Sequence, residues 1–431
     1  MLGAPRHDGD PAAARAHGDQ DAAAAAAAPS SSPRGLVLAC AGLLHRGDVD
    51  GARRAAAEVL STADPRGDAA DRLAHHFARA LARRIDDGVV DAKAGAEDLA
   101  AAPAAAAVAA PAPAPPVPVA PPPATAYLAY NQIAPFLRFA HLTANQAILD
   151  AAAGAGARRL HIVDLDAAHG VQWPPLLQAI ADRADPALGP PEVRITGAGP
   201  DRDVLLRTGD RLRAFAASLN LPFRFHPLPL PYTTAQLNRA AEPAAGLELH
   251  PDETLAVNCV LFLHKLGGEG EIAAFLSWVK SMNPAVVTLA EREEASAGGG
   301  GDCPEDLHRR VAAAMEYYAA VFDALEATVP PGSADRLSVE HEVLAQEIDA
   351  AVSVAAAPGR GGGRARGFES WAAAARAAGL SPRPLSAFAV SQARLLLRLH
   401  YPSEGYVAEE ARGACFLGWQ TRPLMSVSSW Q

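Results

Sequence analysis

One short turn of the chain contains the side chains that most resemble a catalytic site. Asp164, Asp166 and His169 follow a run with the character of a buried strand, and an aspartate that orients a histidine is a common acid–base arrangement. A dinucleotide or S-adenosylmethionine site, however, needs several glycines in this turn, so that backbone N–H groups can approach the cofactor. Here the turn contains only Gly170. We therefore interpret the aspartates as acceptors for loop amides or as helix caps, and we predict no catalytic residue, no cofactor and no metal.

Two later strand ends carry a second group of polar side chains. Candidate bases or ligands follow the predicted fourth and fifth strands, namely His264, Lys265, Glu291, Glu293 and Glu294. Such positions form active sites in methyltransferase-like sheets, but charged loops at strand ends are more often only solvated. The chain has no HExxH, GxSxG or P-loop pattern. These residues do not by themselves indicate a reaction.

The region from Arg360 to Arg398 is strongly basic within an acidic protein. It contains seven arginines against one acid, Glu369. A basic stripe of this kind is able to contact phosphate, while the overall charge limits non-specific binding. The alternative is that the arginines form ion pairs with the many acids of the chain. We predict DNA or phosphate contacts at Arg364, Arg366 and Arg383.

The polar turn lies within a regular alternation of strands and helices. Apolar strand patterns occur at Leu160–Leu165, Val193–Gly197, Phe223–Pro227, Thr254–Leu263 and Ala285–Ala290. Helical patterns separate them at Pro174–Asp182, Asp203–Ser218 and Glu271–Met282. This alternation predicts a parallel sheet with right-handed crossovers. The carboxyl ends of its strands, including the polar turn, would face the crevice where such sheets bind ligands.

The C-terminal part completes the predicted fold. We interpret Ala387–Leu399 and Ala414–Ser429 as strand-rich stretches, and a final hairpin that adds an antiparallel strand is typical of methyltransferase-like sheets. Before the first strand, helical patterns dominate. The predicted fold class is therefore α/β, with a Rossmann-like (methyltransferase-like), mostly parallel sheet core and an N-terminal all-helical cap.

Composition divides the chain into three regions. Residues 1–33 are rich in alanine and proline and cannot bury enough varied apolar surface to order themselves, so we predict a disordered tail. Residues 34–153 form the predicted helical cap, interrupted by a disordered Ala/Pro linker at 88–124. Residues 154–431 form the predicted core. A second flexible loop is predicted at Pro358–Gly367.

Charge and cysteine content exclude several classes of protein. The formal net charge of −10 argues against a protein that coats nucleic acid through bulk positive charge. The four cysteines lie far apart and form no CxxC pair, which is typical of a reducing compartment without structural zinc. No apolar run reaches the length of a membrane span. We expect an intracellular protein with no membrane contact.

Five blocks of sequence, in order, resemble the GRAS family of plant transcriptional regulators. LHIVD at Leu160–Asp164, followed by HGVQWPPLLQAI, resembles the VHIID block. Segments that resemble the two leucine-rich regions lie on either side, at Leu36–Ile85, Tyr127–Ala152 and Leu205–Phe225. The PFYRE block is matched by segments at Ala285–Glu294, Tyr317–Pro330 and Gln346–Ile348. The SAW block is matched at Trp371, Gly379–Leu380, Gly418–Trp419 and Ser428–Trp430. Gln346 replaces the usual arginine of the PFYRE block, and SSW replaces SAW.

The resemblance implies a function as well as a fold. Two stretches, Ala126–Ala151 and Leu395–Trp430, are similar to the Lateral suppressor/Monoculm branch of the family. Members of this branch promote axillary meristem formation and shoot branching. The resemblance implies a nuclear regulator and not an enzyme. Such a regulator would work with other GRAS proteins or DNA-binding transcription factors and would reach promoter DNA directly or indirectly. Formation of a homodimer is left open. The alternative is a methyltransferase-like enzyme or small-molecule sensor. A signature loop, structural or ligand-facing, comprises His161, Asp164, Asp166, Gly170, Gln172 and Trp173.

Overall fold

The structure, a computed structural model, describes residues 32–100, 124–229, 247–266, 269–294, 307–353, 366–401 and 404–431. Most of the predicted N-terminal tail, most of the predicted Ala/Pro linker and most of the loop at Pro358–Gly367 lie outside the described residues. All five predicted parallel strands lie within them.

Within the described ranges, five helices precede the first strand. They are α1 (Pro33–His45), α2 (Val49–Thr62), α3 (Ala69–Ala100), α4 (Ala124–Ile133) and α5 (Phe136–Gly154). Side-chain caps define the first two starts, because Ser32 accepts from the Gly35 amide and Asp48 accepts from the Gly51 amide. The break between α4 and α5 falls at Ala134–Pro135, as expected of a proline that cannot donate to a preceding helical carbonyl.

Helix α3 is longer than predicted. It continues to Ala100, whereas we expected an extended linker from residue 88. The stretch from Asp91 to Ala100 consists mainly of alanine, aspartate, glutamate and lysine and has no proline before Pro103. Alanine, glutamate and lysine have high helix propensity, so nothing in this segment ends the helix.

The sheet has the predicted parallel core. Its first five strands are β1 (Arg159–Asp164), β2 (Glu192–Gly199), β3 (Phe223–Pro229), β4 (Thr254–Val260) and β5 (Val286–Arg292). They lie in the order β3-β2-β1-β4-β5, and all four pairings are parallel. The order reverses beside β1, which is the switch point where open α/β sheets bind ligands. The predicted α/β, Rossmann-like fold class is confirmed.

Helices connect these strands and cover the sheet. They are α6 (Trp173–Asp182), α7 (Arg202–Ser218) and α8 (Glu269–Ser281), with a short 3₁₀ turn at Leu263–Lys265 after β4. Helix α6 begins at Trp173 with two prolines in its first turn, where the missing N–H groups cost nothing. Its apolar face, which includes Leu176, Leu177 and Ile180, is buried against the sheet with Ile162 and Ile195.

The segment Ala387–Leu399 was wrongly predicted as strand-rich. It forms helix α13 (Ala387–His400), preceded by α12 (Phe368–Ala377) and the short strand β6 (Pro382–Arg383). Ser386 caps α13 by accepting from the Ala389 amide. Buried residues recur with helical spacing, at Ala389, Val390, Ala393 and Leu397. The run LLLRL has no decisive period by itself, and burial on one helical face decides its structure.

In the part of the chain that the structure describes, three antiparallel strands complete the sheet. They are β7 (Tyr406–Ala411), β8 (Ala414–Trp419) and β9 (Arg422–Trp430). Strand β9 lies antiparallel beside β5, followed in order by β8 and β7, and β6 pairs with β9. The predicted strand-rich stretch Ala414–Ser429 therefore does supply antiparallel strands, β8 and most of β9, whereas their neighbour in the sheet is β7 and not Ala387–Leu399.

Helices that follow β5 join the N-terminal helices in one core. They are α9 (Leu307–Thr328), α10 (Ala334–Val339) and α11 (Ala345–Ser353), with a π-helical turn at Glu340–Leu344 between the last two. Phe77, Phe139, Phe322 and Leu325 all belong to this apolar cluster. The predicted boundary between a cap at 34–153 and a core at 154–431 remains a prediction, and the packing links its two sides closely.

Candidate functional site

A row of polar side chains crosses three neighbouring strands at the carboxyl edge of the sheet. Asp164 in β1 is in register with Asn258 in β4, which is in register with Thr288 in β5. Residues in register on adjacent parallel strands project to the same face. Asn258 Nδ2 donates to Asp164 Oδ1 over 3.1 Å, and Thr288 Oγ1 donates to Asn258 Oδ1 over 2.8 Å. All three residues are buried.

Two helices complete this row into a closed network. At the start of α6, Trp173 Nε1 donates to Asp164 Oδ2 over 2.9 Å. The preceding Gln172 exchanges two hydrogen bonds of 3.1 Å with the Asn258 amide. Gln172 Nε2 also donates to Asn145 Oδ1 over 3.1 Å, and Asn145 Nδ2 donates to the Gln172 carbonyl over 2.9 Å. The network therefore ties β1, β4 and β5 to α5 and α6.

The turn between Asp164 and Trp173 is held tightly against α7. Gly170 has φ of +66°, and a Cβ added there would lie 2.6 Å from Thr208 Cγ2. Thr208 Oγ1 donates to the Ala168 carbonyl over 3.0 Å. At the end of β2, a Cβ added to Gly197 would lie 2.6 Å from Phe225 Cζ and 2.9 Å from Ala167 Cβ. The space that a side chain at Gly170 or Gly197 would occupy is therefore filled by side chains of the protein itself.

Asp166 and His161 of the signature loop, and the neighbouring candidate His169, have different surroundings. Asp166 forms an ion pair with Lys265. The ring of His169 lies 5.8 Å from that of Tyr127 in α4, measured between centroids. His161 lies three residues before Asp164 on the strand and so projects to the opposite face of the sheet. The structure thus brings Asp164, Gln172 and Trp173 together and places His161 elsewhere.

His161 is buried in a polar setting of its own. Its Nε2 lies 2.9 Å from Thr196 Oγ1, and its Nδ1 lies 3.1 Å from Arg194 Nη2. Glu253 forms an ion pair with Arg194. Burial, reinforced by the charge of Arg194, lowers the pKa of His161 from 6.5 to about 4. The neutral imidazole accepts from Arg194 and donates to Thr196, which is a structural role.

Asp164 titrates in the opposite direction. Burial raises its pKa from 3.8 to about 7, although the bonds from Asn258 and Trp173 favour the charged form. A carboxyl whose pKa rises on folding contributes stability that is complete below pH 3.8 and is lost as the pH rises through about 7. For His161 the contribution is present above pH 6.5 and is lost as the pH falls towards about 4.

The first prediction concerns this pH dependence. Asp164→Asn removes the titrating group. Its side-chain NH₂ group must face either Trp173 Nε1 or Asn258 Nδ2, which are both donors, so the variant should be less stable at every pH. Its disadvantage should shrink by about 1 kcal/mol between about pH 6 and pH 8, because the folded wild type loses its proton there and the unfolded chain has none to lose. Urea unfolding of both proteins across this range measures the difference. The contribution of His161 to the pH dependence is the same in both proteins and cancels in the difference. Parallel profiles of stability against pH would contradict the assigned role of Asp164.

Two of the acidic candidates, Glu291 near the end of β5 and Glu293 just after it, act as caps. Glu291 is buried, and its Oε1 accepts the amides of Phe262 over 2.9 Å and of Leu263 over 2.6 Å, at the 3₁₀ turn after β4. Glu293 accepts the amide of Phe368, the first residue of α12, over 3.0 Å. Carboxylates at such positions satisfy helical amides that have no partner in the helix. These glutamates therefore position elements.

The predicted phosphate contacts separate in the structure. Arg364 lies outside the described residues. Arg366 is only 7% exposed, its guanidinium lies 5.4 Å from the centroid of the Trp371 ring, and its carbonyl accepts the Glu294 amide over 2.9 Å. This burial leaves the Arg366 guanidinium little surface to offer a phosphate. Arg383 lies in β6, partly exposed, and donates to Gln431 Oε1 over 3.4 Å.

Sequence reasoning missed Asn145, Asn258 and Thr288. A signal for Asn258 was present, because an asparagine interrupts the apolar strand TLAVNCV, and a buried amide needs hydrogen-bond partners. Among the described residues, no cluster of three or more His, Cys, Asp or Glu side chains is arranged to hold a metal ion. No described helix is long and apolar enough to cross a membrane.

Comparison with known proteins agrees with the fold. Residues 33–431 match the model of the GRAS domain family. The chain is 64% identical to Protein MONOCULM 1 of Oryza sativa subsp. japonica, covering 93% of this chain and 88% of that one. It is 40% identical to Scarecrow-like protein 18 of Arabidopsis thaliana, covering 92% and 91%. The crystal structure of SCL7 of Oryza sativa superposes with a TM-score of 0.68, at 32% identity over 94% of this chain and 100% of that one. The chain therefore belongs to the GRAS domain family and is of the Monoculm/Lateral suppressor type.

Proposed function

We propose that this GRAS protein is a nuclear transcriptional regulator that works through protein complexes in axillary meristem initiation and shoot branching. The likeness to MONOCULM 1 over nearly the whole chain supports this role. The experiment that tests it is expression of the full chain in rice plants that lack MONOCULM 1. Restored tillering and a nuclear fluorescent fusion are expected, whereas correct folding without any restored branching would contradict the proposal.

One observation carries the argument against a catalytic crevice. The polar groups at the edge of β1 bond to one another: both carboxylate oxygens of Asp164 accept side-chain donors, and Gln172 and Asn258 pair through their amides. The space over Gly170 and Gly197 is occupied by Thr208, Phe225 and Ala167. A cofactor would have to displace these contacts. The arrangement therefore supports a scaffold for protein contacts over a methyltransferase or small-molecule sensor.

We propose further that the protein reaches promoter DNA mainly through its partners. The net charge is −10, and of the three predicted phosphate contacts Arg366 is buried. The second prediction is that the full chain alone gives no mobility shift on random duplex DNA at about 0.1 M salt, because non-specific binding depends on released counterions. A salt-sensitive shift that Arg364→Glu and Arg383→Glu abolish would instead indicate direct contact.

A further inference from the structure

Helix α13 carries apolar side chains on two opposite faces. Its inner face, formed by Ala389, Val390, Ala393 and Leu397, is buried. On the opposite side Phe388 is 52% exposed, Leu395 is 49% exposed and Leu399 is 65% exposed. We name these last three residues the outer face of α13.

The outer face has the shape of a helix-binding stripe. Its residues are spaced by seven and then four positions, which places them on one side of a helix with 3.6 residues per turn. From Phe388 to Leu399 the stripe extends about 16 Å along the axis. Exposed apolar side chains that are scattered singly are normal, whereas three that share one side of a single helix form a candidate interaction surface. Anchors at this spacing are typical of an amphipathic helix that lies along another.

Charge defines the kind of helix that fits. Arg394 and Arg398, one turn apart, border one side of the outer face, and both are exposed. Arg394 Nε donates to the Ala408 carbonyl in β7 over 3.2 Å, so Arg398 is the nearer of the two charges to the outer face. The helix Ala387–His400 contains no acidic residue. Opposite charges along the edge of an apolar contact set partner choice and orientation.

We propose that the outer face of α13 binds an amphipathic α-helix of a partner protein, whose apolar stripe is bordered by aspartate or glutamate facing Arg394 and Arg398. The α13 of a second copy of this chain fits less well, since it offers no acid to either arginine. This goes beyond the proposed function, because it assigns a surface and the chemistry of its partner.

The test is a display library of helical peptides of about 18 residues, long enough to cover the stripe. The apolar stripe of each peptide is constant, the flanking positions are random, and the purified full chain is the bait. We expect acidic residues to be enriched on the flank. An enriched peptide should bind at least tenfold more weakly to the Leu395→Glu/Leu399→Glu variant and should lose its charge preference with Arg394→Glu/Arg398→Glu.

The matched control is Leu188→Glu. Leu188 lies between α6 and β2 and has the same 65% exposure as Leu399, so this change adds the same charge at an exposed leucine elsewhere. It should leave binding unchanged, and all variants should keep the wild-type circular dichroism spectrum, because none of the altered side chains is buried. Equal binding to the double leucine variant, enrichment of basic flanks, or no enrichment at all would overturn the proposal. The proposal would also be overturned if the wild type and the other variants were dimers and only the double leucine variant were a monomer, because the outer face would then bind a second copy of this chain. The regulatory role would survive each of these results.

Discussion

Glu340→Leu is expected to lower the free energy of unfolding by about 3–5 kcal/mol. The Glu340 carboxylate accepts Arg72 Nε over 2.9 Å and Arg72 Nη2 over 3.1 Å, and both side chains are at least 99% buried. Without Glu340, the buried Arg72 and Arg336 share the single carboxylate of Glu326, so one buried charge has no counter-charge, and such a charge costs far more than the pair contributes. Arg72→Met should have a similar effect. Urea unfolding of each single variant measures both losses.

The double variant Arg72→Met/Glu340→Leu should lose much less than the sum of the single changes. Two apolar side chains of similar volume then replace the pair, and a buried ion pair is often equalled by apolar packing. The neighbouring pair of Arg336 and Glu326, at 2.8 Å, remains balanced without them. Additive losses in this double-mutant cycle would contradict the assigned coupling.

An exposed ion pair provides the control. Arg53 and Asp86 are 2.8 Å apart, but both side chains are more than half exposed. Asp86→Leu should therefore change stability by less than about 1 kcal/mol. The contrast matters for architecture, because Arg72 lies in α3 while Glu340 begins the π-helical turn before α11. A strong loss at Glu340 would mean that the N-terminal helices and the helices after β5 unfold together.

Trp173→Ala is the second change with a large expected effect, about 3–5 kcal/mol. Trp173 is fully buried against the sheet, and its indole N–H is, with the Asn258 amide, a side-chain donor to Asp164. The alanine variant therefore loses a large apolar contact and a hydrogen bond to a buried carboxylate. Trp173→Phe should lose about 1–3 kcal/mol, because a smaller aromatic ring remains while the N–H donor and part of the ring packing are lost. Chemical denaturation of the three proteins provides the comparison.

These variants separate the two roles left open for the signature loop. If the loop is structural, stability should fall in the order wild type, Trp173→Phe, Trp173→Ala. Trp278→Ala on α8 is the control, since Trp278 is only partly buried and should cost less. A fully stable Trp173→Ala variant would show that the loop does not support the fold, and it would restore the alternative that the loop faces a ligand.

Much of the fold followed from local patterns. The alternation of apolar strands and amphipathic helices between Arg159 and Arg292 predicted the parallel sheet, because strand and helix periods differ and can be recognised without tertiary contacts. The start of α6 was readable from Pro174 and Pro175 in its first turn. The pattern was ambiguous at Ala387–Leu399, where a short run of leucines fits either period.

The sequence by itself determined the fold class, the family and the single-glycine turn at Gly170, since each depends on residues close together in the chain. Only the tertiary structure decided which polar groups meet. Asp164 finds Asn258 across 94 residues, and Arg72 finds Glu340 across 268. Burial then removes water as the alternative partner, so each buried polar atom must be satisfied by whatever the fold brings beside it. That requirement joins Asp164, Gln172 and Trp173 of the signature loop into one closed polar network with residues that sequence reasoning missed.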